Sequence, residues 1–149
     1  MSAPQLRTAR SEDTESIRVL LENNGLPTSD LISSTPQFIV ACEGETIVAA
    51  GALQRFGSSA LLRSVAVDPD RRGKGLGRIL VEDLERIARA ARIKQLILLT
   101  QTAKRFFEHQ GYRVIERHEV PPDVQGSEEF RSLCPASAAC MAKTLASPS

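Results

Sequence analysis

A mixed α/β fold with one sheet is the class that the 149-residue sequence predicts, and three observations predict it. Short runs rich in Val, Ile and Ala alternate with stretches whose apolar residues recur at helical spacing. Gln95–Thr100 (QLILLT) is apolar almost throughout, the pattern of a strand covered on both faces. Between a strand-like run and a strongly periodic helix lies a basic bend, Arg71–Gly77 (RRGKGLG), holding three glycines.

Leu6–Ala9 reads as a short edge strand. Ser11 or Asp13 then caps a helix whose apolar stripe is Ile17, Leu20 and Leu21, and Asn24-Gly25 ends it. Residues Leu26–Gln37 are rich in turn formers and predict a surface loop, a common place for substrate contacts. Phe38–Cys42 and Thr46–Leu53 predict a hairpin, with Gly51 marking a bulge or a close backbone approach. Ala60–Val67 is the third long strand. After the bend, Leu76, Leu80, Leu84, Ile87 and Ala91 recur at helical spacing, with Glu82/Arg86 and Glu85/Arg89 as i,i+4 pairs on the outer face. QLILLT follows, then a short helix over TAKRFFEHQ stopped by Gly111, a strand over YRVIERHEV, a loop with Pro121 and Pro122, and a last strand in SAACMAKTL. No internal repeat is present, and one domain over residues 1–149 is the expectation.

Composition narrows the function classes. The chain is 42% hydrophobic and 25% charged, as soluble globular proteins are, and its net charge of +1 gives no field that calls for nucleic acid or an anionic membrane. Cys42, Cys134 and Cys140 are odd in number and lack C-x-x-C spacing, which argues against a disulfide framework and for a reducing compartment. The first residues contain no apolar signal core, and no run is long enough to span a bilayer, so a cytoplasmic protein is expected.

The bend is a tight solvated turn or an anion holder. The first amides of a helix lack intrahelical partners and sit at the positive end of its dipole, so a phosphate there satisfies both. Glycines let the backbone approach and adopt the φ angles that converging amides need. The spacing fails G-x-x-x-x-G-K-[ST] and is one residue short of G-x-G-x-x-G. It fits [RQ]-x-x-G-x-[GA] at Arg72, Gly75 and Gly77. Arg71, Arg72, Lys74 and Arg78 have no interleaved aromatics to stack bases, which disfavours a nucleic-acid module.

Preceded by SVAVDPD, this pattern resembles the coenzyme-A pyrophosphate loop of the GNAT N-acetyltransferase superfamily, and the resemblance runs from Arg7 to Leu145. It implies the GNAT fold: a mixed, mostly antiparallel sheet with a V-shaped splay between two central parallel strands, flanked by helices. It implies acetyl-CoA as cosubstrate and no metal. The strand segment Val65, Ala66 and Val67 would pair with pantetheine through its backbone. The amides of Arg72, Gly73, Lys74, Gly75, Leu76, Gly77 and Arg78 would hold the pyrophosphate, and Phe107 would line the pantetheine channel. A backbone N–H near Val65 would polarise the thioester carbonyl. The segments LPTSDL, ALLRSVAV, LLTQTAKRFFEHQGY and EEFRSLCPASAACM are similar to small acetyltransferases of arsenic-resistance gene clusters. LLTQTAKRFFEHQGY also resembles the acetyltransferase domain of N-acetylglutamate synthases. Both imply a small amino-acid-like amine as acceptor, including an arsenic- or phosphorus-containing glutamate analogue in a detoxifying role. A biosynthetic amino-acid acetyltransferase and a non-catalytic CoA-binding sensor are the alternatives, and a homodimer is compatible with each.

Against that family pattern, the tyrosine that often protonates the leaving thiolate is replaced by Phe107, and a frequent carboxylate base by Leu61. Tyr112 falls on a packing position. Arg63 is an ion-pair former within the fold or a guanidinium fork for a substrate carboxylate, and Arg55 is a second candidate of that kind. Thr100 and Thr102 cap the following helix or touch substrate. Ser64, Thr100 and His109 are the candidate catalytic groups, His109 because imidazole titrates near neutrality. Cys134 and Cys140 raise the question of metalloid contact, although small buried cysteines are common.

Overall fold

The computed structural model describes residues 4–31, 36–133 and 137–145. Seven strands form one sheet in the order β1-β2-β3-β4-β5-β7-β6. The strands are β1 (Gln5–Thr8), β2 (Gln37–Glu43), β3 (Thr46–Phe56), β4 (Ser59–Val67), β5 (Gln95–Thr100), β6 (Arg113–Val114) and β7 (Ala139–Thr144). Every pairing is antiparallel except β4 with β5. The helices are α1 (Thr14–Asn23), α2 (Leu76–Ala90), α3 (Lys104–His109) and α4 (Pro122–Gln125).

Side-chain alternation sorts the core onto two faces of the sheet. Ile39 and Ala41 of β2, Leu62 of β4, and Leu96 and Leu98 of β5 pack with Leu76, Leu80, Val81 and Leu84 of α2. On the other face, Val40 and Cys42 pack under Ile17, Leu20 and Leu21 of α1. Farther along that face, Leu61 and Ile97 meet Val120, Val124 and Phe130 from the connection between β6 and β7. QLILLT is thus covered on both sides, as its continuous apolar character predicts.

Gly51 fulfils both of its sequence readings. The β3–β4 register shifts between Ala50 and Ala52, so Gly51 faces the two residues Ser64 and Val65 of a bulge in β4. A Cβ on Gly51 would stand 2.8 Å from Leu84 Cδ1, which lets α2 lie close against the sheet.

Several local expectations need correction. Asp13 holds the N-cap position of α1, but its side chain makes no capping bond there. Its carboxylate accepts Arg10 N–H at 2.7 Å and both Arg7 Nη groups at 2.7 and 3.1 Å, tying β1 to the start of the helix. Glu85 is not on the outer face of α2: it is buried, accepting Tyr112 Oη–H at 2.8 Å and Lys143 Nζ–H at 2.9 Å. Burial together with the Glu85 charge raises the Tyr112 hydroxyl pKa far above the phenol range. The strand expected over YRVIERHEV is only Arg113–Val114, because Arg117–Glu119 turns as a 3-10 helix. That turn lets Ile115 and Val120 both reach the same cluster, although five residues apart they would point to opposite sides of a straight strand. The following proline loop contains α4 and a π-type turn at Glu129–Leu133.

Candidate active site

The parallel pairing of β4 with β5 covers only Ser59–Leu61 against Gln95–Ile97, yet β4 runs on to Val67 and β5 to Thr100. Beyond Leu61 the two strands diverge, opening a V and leaving the β5-facing edge of β4 outside the sheet ladder. A cleft of about 910 Å³ occupies this opening. It extends from Leu62–Val67 on one arm and Leu98–Thr102 on the other to the glycine bend at the start of α2.

The bend explains the cleft's far end. Gly73 and Gly75 have φ of +80° and +78°, conformations that a side chain opposes, and Gly75 is the residue from which α2 begins. Gly77 works differently: its place in the first helical turn puts a would-be Cβ 3.4 Å from the Phe106 ring, so its smallness permits close packing beside the cleft. Arg71 is held by Glu43 (2.8 Å), and Arg72 donates to Asn24 Oδ1, so the loop after α1 is tied to the bend. Asn24–Pro27 line the cleft for this reason. The turn there is fixed by Gly25 at φ +69° and by Leu26 N–H bonding Leu21 O at 3.0 Å.

Of the residues assigned to cofactor binding from sequence, Val65, Ala66, Val67, Arg72, Gly73, Gly75, Leu76, Gly77, Arg78 and Phe107 line the cleft; Lys74 does not. Phe107 is also a core residue, edge-on to Phe106 and Tyr112 with ring centroids 5.0 and 5.5 Å away. Of the acceptor candidates, Arg63, Ser64, Thr100 and Thr102 line the cleft. Arg55 donates to the carbonyls of Gly57 and Ala91, and neither it nor His109 is among the lining residues. Thr100 Oγ1 accepts Ala103 N–H at 2.9 Å, shaping the turn into α3. Cys140 is buried, its thiol pKa raised by desolvation, and Cys134 lies outside the described residues.

The other end of the cleft is built around Arg63, whose side chain is completely buried. Both of its Nη groups donate to Asp30 at 2.6 Å, and Nη1 also reaches Gln54 Oε1 at 3.1 Å. Its Nε lies 3.7 Å from Glu129 Oε2 and 3.4 Å from Ser64 Oγ. Ser64 itself sits at φ +58°, a strained value for a side-chain-bearing residue, at the β4 bulge. Asp30 and Glu129 are the residues sequence reasoning missed. Asp30 sits in LPTSDL, within the loop expected on the surface, yet it is wholly buried. No local pattern marks a residue whose partner is thirty-three positions away.

This constellation of splayed strands, bulge and glycine bend can be set against known proteins. The family model of the acetyltransferase (GNAT) domain matches residues 34–114. An amino-acid acetyltransferase of Mycobacterium tuberculosis is 32% identical over 134 residues, covering 81% of this chain and 75% of that protein. A Mycobacterium tuberculosis protein solved in complex with CoA superposes with a TM-score of 0.81 at 27% identity, over 96% of this chain and all of that one. N-acetylglutamate synthase from Neisseria gonorrhoeae, complexed with coenzyme A and N-acetyl-glutamate, shares the fold, with a TM-score of 0.83 at 19% identity. That match covers 98% of this chain and 36% of the synthase. The chain belongs to the GNAT acetyltransferase family, and its activity is that of an N-acetyltransferase with acetyl-CoA as cosubstrate.

Proposed function

We propose that this enzyme transfers the acetyl group of acetyl-CoA to the amine of a small amino-acid-like acceptor. The observation that carries the reading is the cleft itself: it joins an unpaired strand edge to a helix N-terminus framed by Gly73 and Gly75. The open edge of β4 at Val65–Val67 offers backbone donors and acceptors to the amides of pantetheine, as an added strand would. The amides entering α2 receive the pyrophosphate, with Arg72 and Arg78 beside it. The bulge removes a backbone group near Val65 from the β3 ladder and turns it toward the thioester, whose carbonyl it polarises in the transition state.

An amino-acid-like acceptor is supported by the likeness to the Mycobacterium amino-acid acetyltransferase and by the polar side chains Ser64, Thr100 and Gln101 that line the cleft. The similarity of LPTSDL and EEFRSLCPASAACM to acetyltransferases of arsenic-resistance clusters extends the class to arsenic- or phosphorus-containing glutamate analogues. The test is a thiol-release assay with acetyl-CoA across the L-amino acids and those analogues, beside thermal unfolding with and without acetyl-CoA. A rise in Tm with the cofactor and release of CoA with an amino acid are expected. A Tm indifferent to acetyl-CoA overturns the cofactor site, and release with no member of the panel overturns the acceptor class.

A further inference from the structure

We propose that Glu129 is the residue that receives the acceptor's amino group and takes its proton; this rests on the acetyl-transfer reading above. Among the described residues lining the cleft, Glu129 is the one with a carboxylate, and none carries an imidazole. The position of the frequent base in this family is Leu61, which faces the opposite way from Leu62, into the cluster with Ile97 and Phe130. A base for the amine must therefore come from another element. Glu129 comes from the turn between β6 and β7 and is 5% exposed, so its charge acts in a poorly screened setting.

Its neighbours define what it binds. Arg63 of β4 faces it at 3.7 Å, and Asp30 from the loop after α1 occupies both Nη groups of that arginine at 2.6 Å. Two carboxylates thus flank one guanidinium, and of the two only Glu129 lines the cleft. Arg117 stacks on the ring of Phe130, the next residue along. Arg63 Nε lies 3.7 Å from Glu129 Oε2 and 3.4 Å from Ser64 Oγ, which places Glu129 close to the bulge where the thioester would lie.

An acceptor ammonium gives one proton to Glu129, and the neutral nitrogen attacks the thioester carbonyl carbon. A C–N bond forms and the C–S bond breaks, its electron pair leaving on sulfur. The second proton lost by nitrogen ends on that sulfur as CoA thiol, and Glu129 returns its own to water.

The experiment compares wild type with Glu129→Gln and Glu129→Asp, using the best acceptor of the amino-acid panel. Glu129→Gln is expected to lower kcat/KM on the order of 10²-fold and to remove the acid limb of its pH profile. The acetyl-CoA-induced rise in Tm should persist, and Glu129→Asp should recover part of the rate. Wild-type kcat/KM and an unchanged pH profile in Glu129→Gln overturn the proposal. A missing acetyl-CoA shift in wild type instead overturns the cofactor reading. A wild-type measurement stands independent of the variants' folding: the CoA complex should bind the amino acid at least about tenfold more tightly than its 2-hydroxy analogue, given the worth of a charge-assisted hydrogen bond. Equal binding of the two also overturns the assignment.

Discussion

The two ends of the cleft are held by different materials. The end at Gly73, Gly75 and the first turn of α2 is made by backbone conformation and by what glycine leaves out, all within one short stretch of chain. The end at Arg63, Asp30 and Glu129 is made by long side chains from three separate parts of the chain, and it exists only once those parts meet. The first kind of site tolerates change in most side chains but not in its glycines. The second depends on each partner, because a buried charge without its counter-charge is costly.

The largest effect should come from the glycine end. Gly75→Glu places a side chain at φ +78° and a carboxylate at the proposed pyrophosphate position. Acetyl-CoA should no longer raise Tm, and turnover should fall on the order of 10²–10³-fold as the amide donors lose their anion. The cofactor-free protein should lose about 1–2 kcal/mol from the left-handed backbone alone, since the nearest atom to a Cβ at Gly75 is Arg78 Nη2 at 3.8 Å and adds no clash. A retained acetyl-CoA shift would break the assignment of this end to the donor.

Arg63→Ala should behave in the reverse manner. It leaves the Asp30 carboxylate buried without the fork that accepts it, a loss of about 3–5 kcal/mol in unfolding free energy. Urea denaturation measures it. Where the variant still folds, the acetyl-CoA shift should remain, because Arg63 bonds Asp30, Gln54 and Ser64 rather than serving the amides of the bend. The double variant Arg63→Met/Asp30→Leu should be destabilised by less than the sum of the two single changes, since it removes both charges together. Additive losses would mean that the pair does not act as a unit.

The same contrast decides what the sequence could show. The glycine end was legible because its parts are contiguous: a strand, a bend with set spacing and a helix, each with a local signature. The succession of elements along the chain, the bulge at Gly51 and the double-sided cover of QLILLT were legible for a like reason, through periodicity and glycine placement. Arg63 was recognised as either an ion-pair former or a carboxylate fork, and only the fold shows Asp30 seated in that fork at 2.6 Å. Asp30 and Glu129 were not singled out, because burial of an acidic residue depends on a partner that no spacing rule encodes. The strand expected at Tyr112–Val120 failed on similar grounds: Ile115 and Val120 are both buried through a turn that tertiary packing selects.

A smaller effect tests the backbone economy of the glycine end. Gly51→Ala inserts a Cβ 2.8 Å from Leu84 Cδ1 and 3.3 Å from Leu80 Cδ2. Overpacking of this kind costs about 1–3 kcal/mol, measured by denaturant unfolding. Because α2 carries the bend, pushing it from the sheet should also weaken acetyl-CoA, seen as a smaller Tm shift at fixed cofactor concentration. An unchanged shift together with reduced stability would show that the bend is positioned independently of the contact between α2 and β3.

The smallest effect lies in neither end and serves as the control for both. The Arg7 guanidinium and the Arg10 amide hold the Asp13 carboxyl down to about 2, against 3.8 for the free side chain. A depressed carboxylate contributes stability that is present above the free value and is lost as pH falls through the folded one. The gap in unfolding free energy between wild type and Asp13→Asn should therefore be constant above about pH 5. It should narrow progressively as the pH drops from about 4 toward 2, the interval between the two values. Urea titrations at closely spaced pH values read this directly, and a gap that stays flat across the interval would refute the Arg7–Asp13 linkage. Neither the acceptor KM nor the acetyl-CoA shift should change in Asp13→Asn, because β1 and the start of α1 hold up the sheet edge without contributing a residue to the cleft lining. If either one moved, the division between the two ends would have to give way to one in which the β1–α1 junction positions Asn24–Pro27, and through them Arg72.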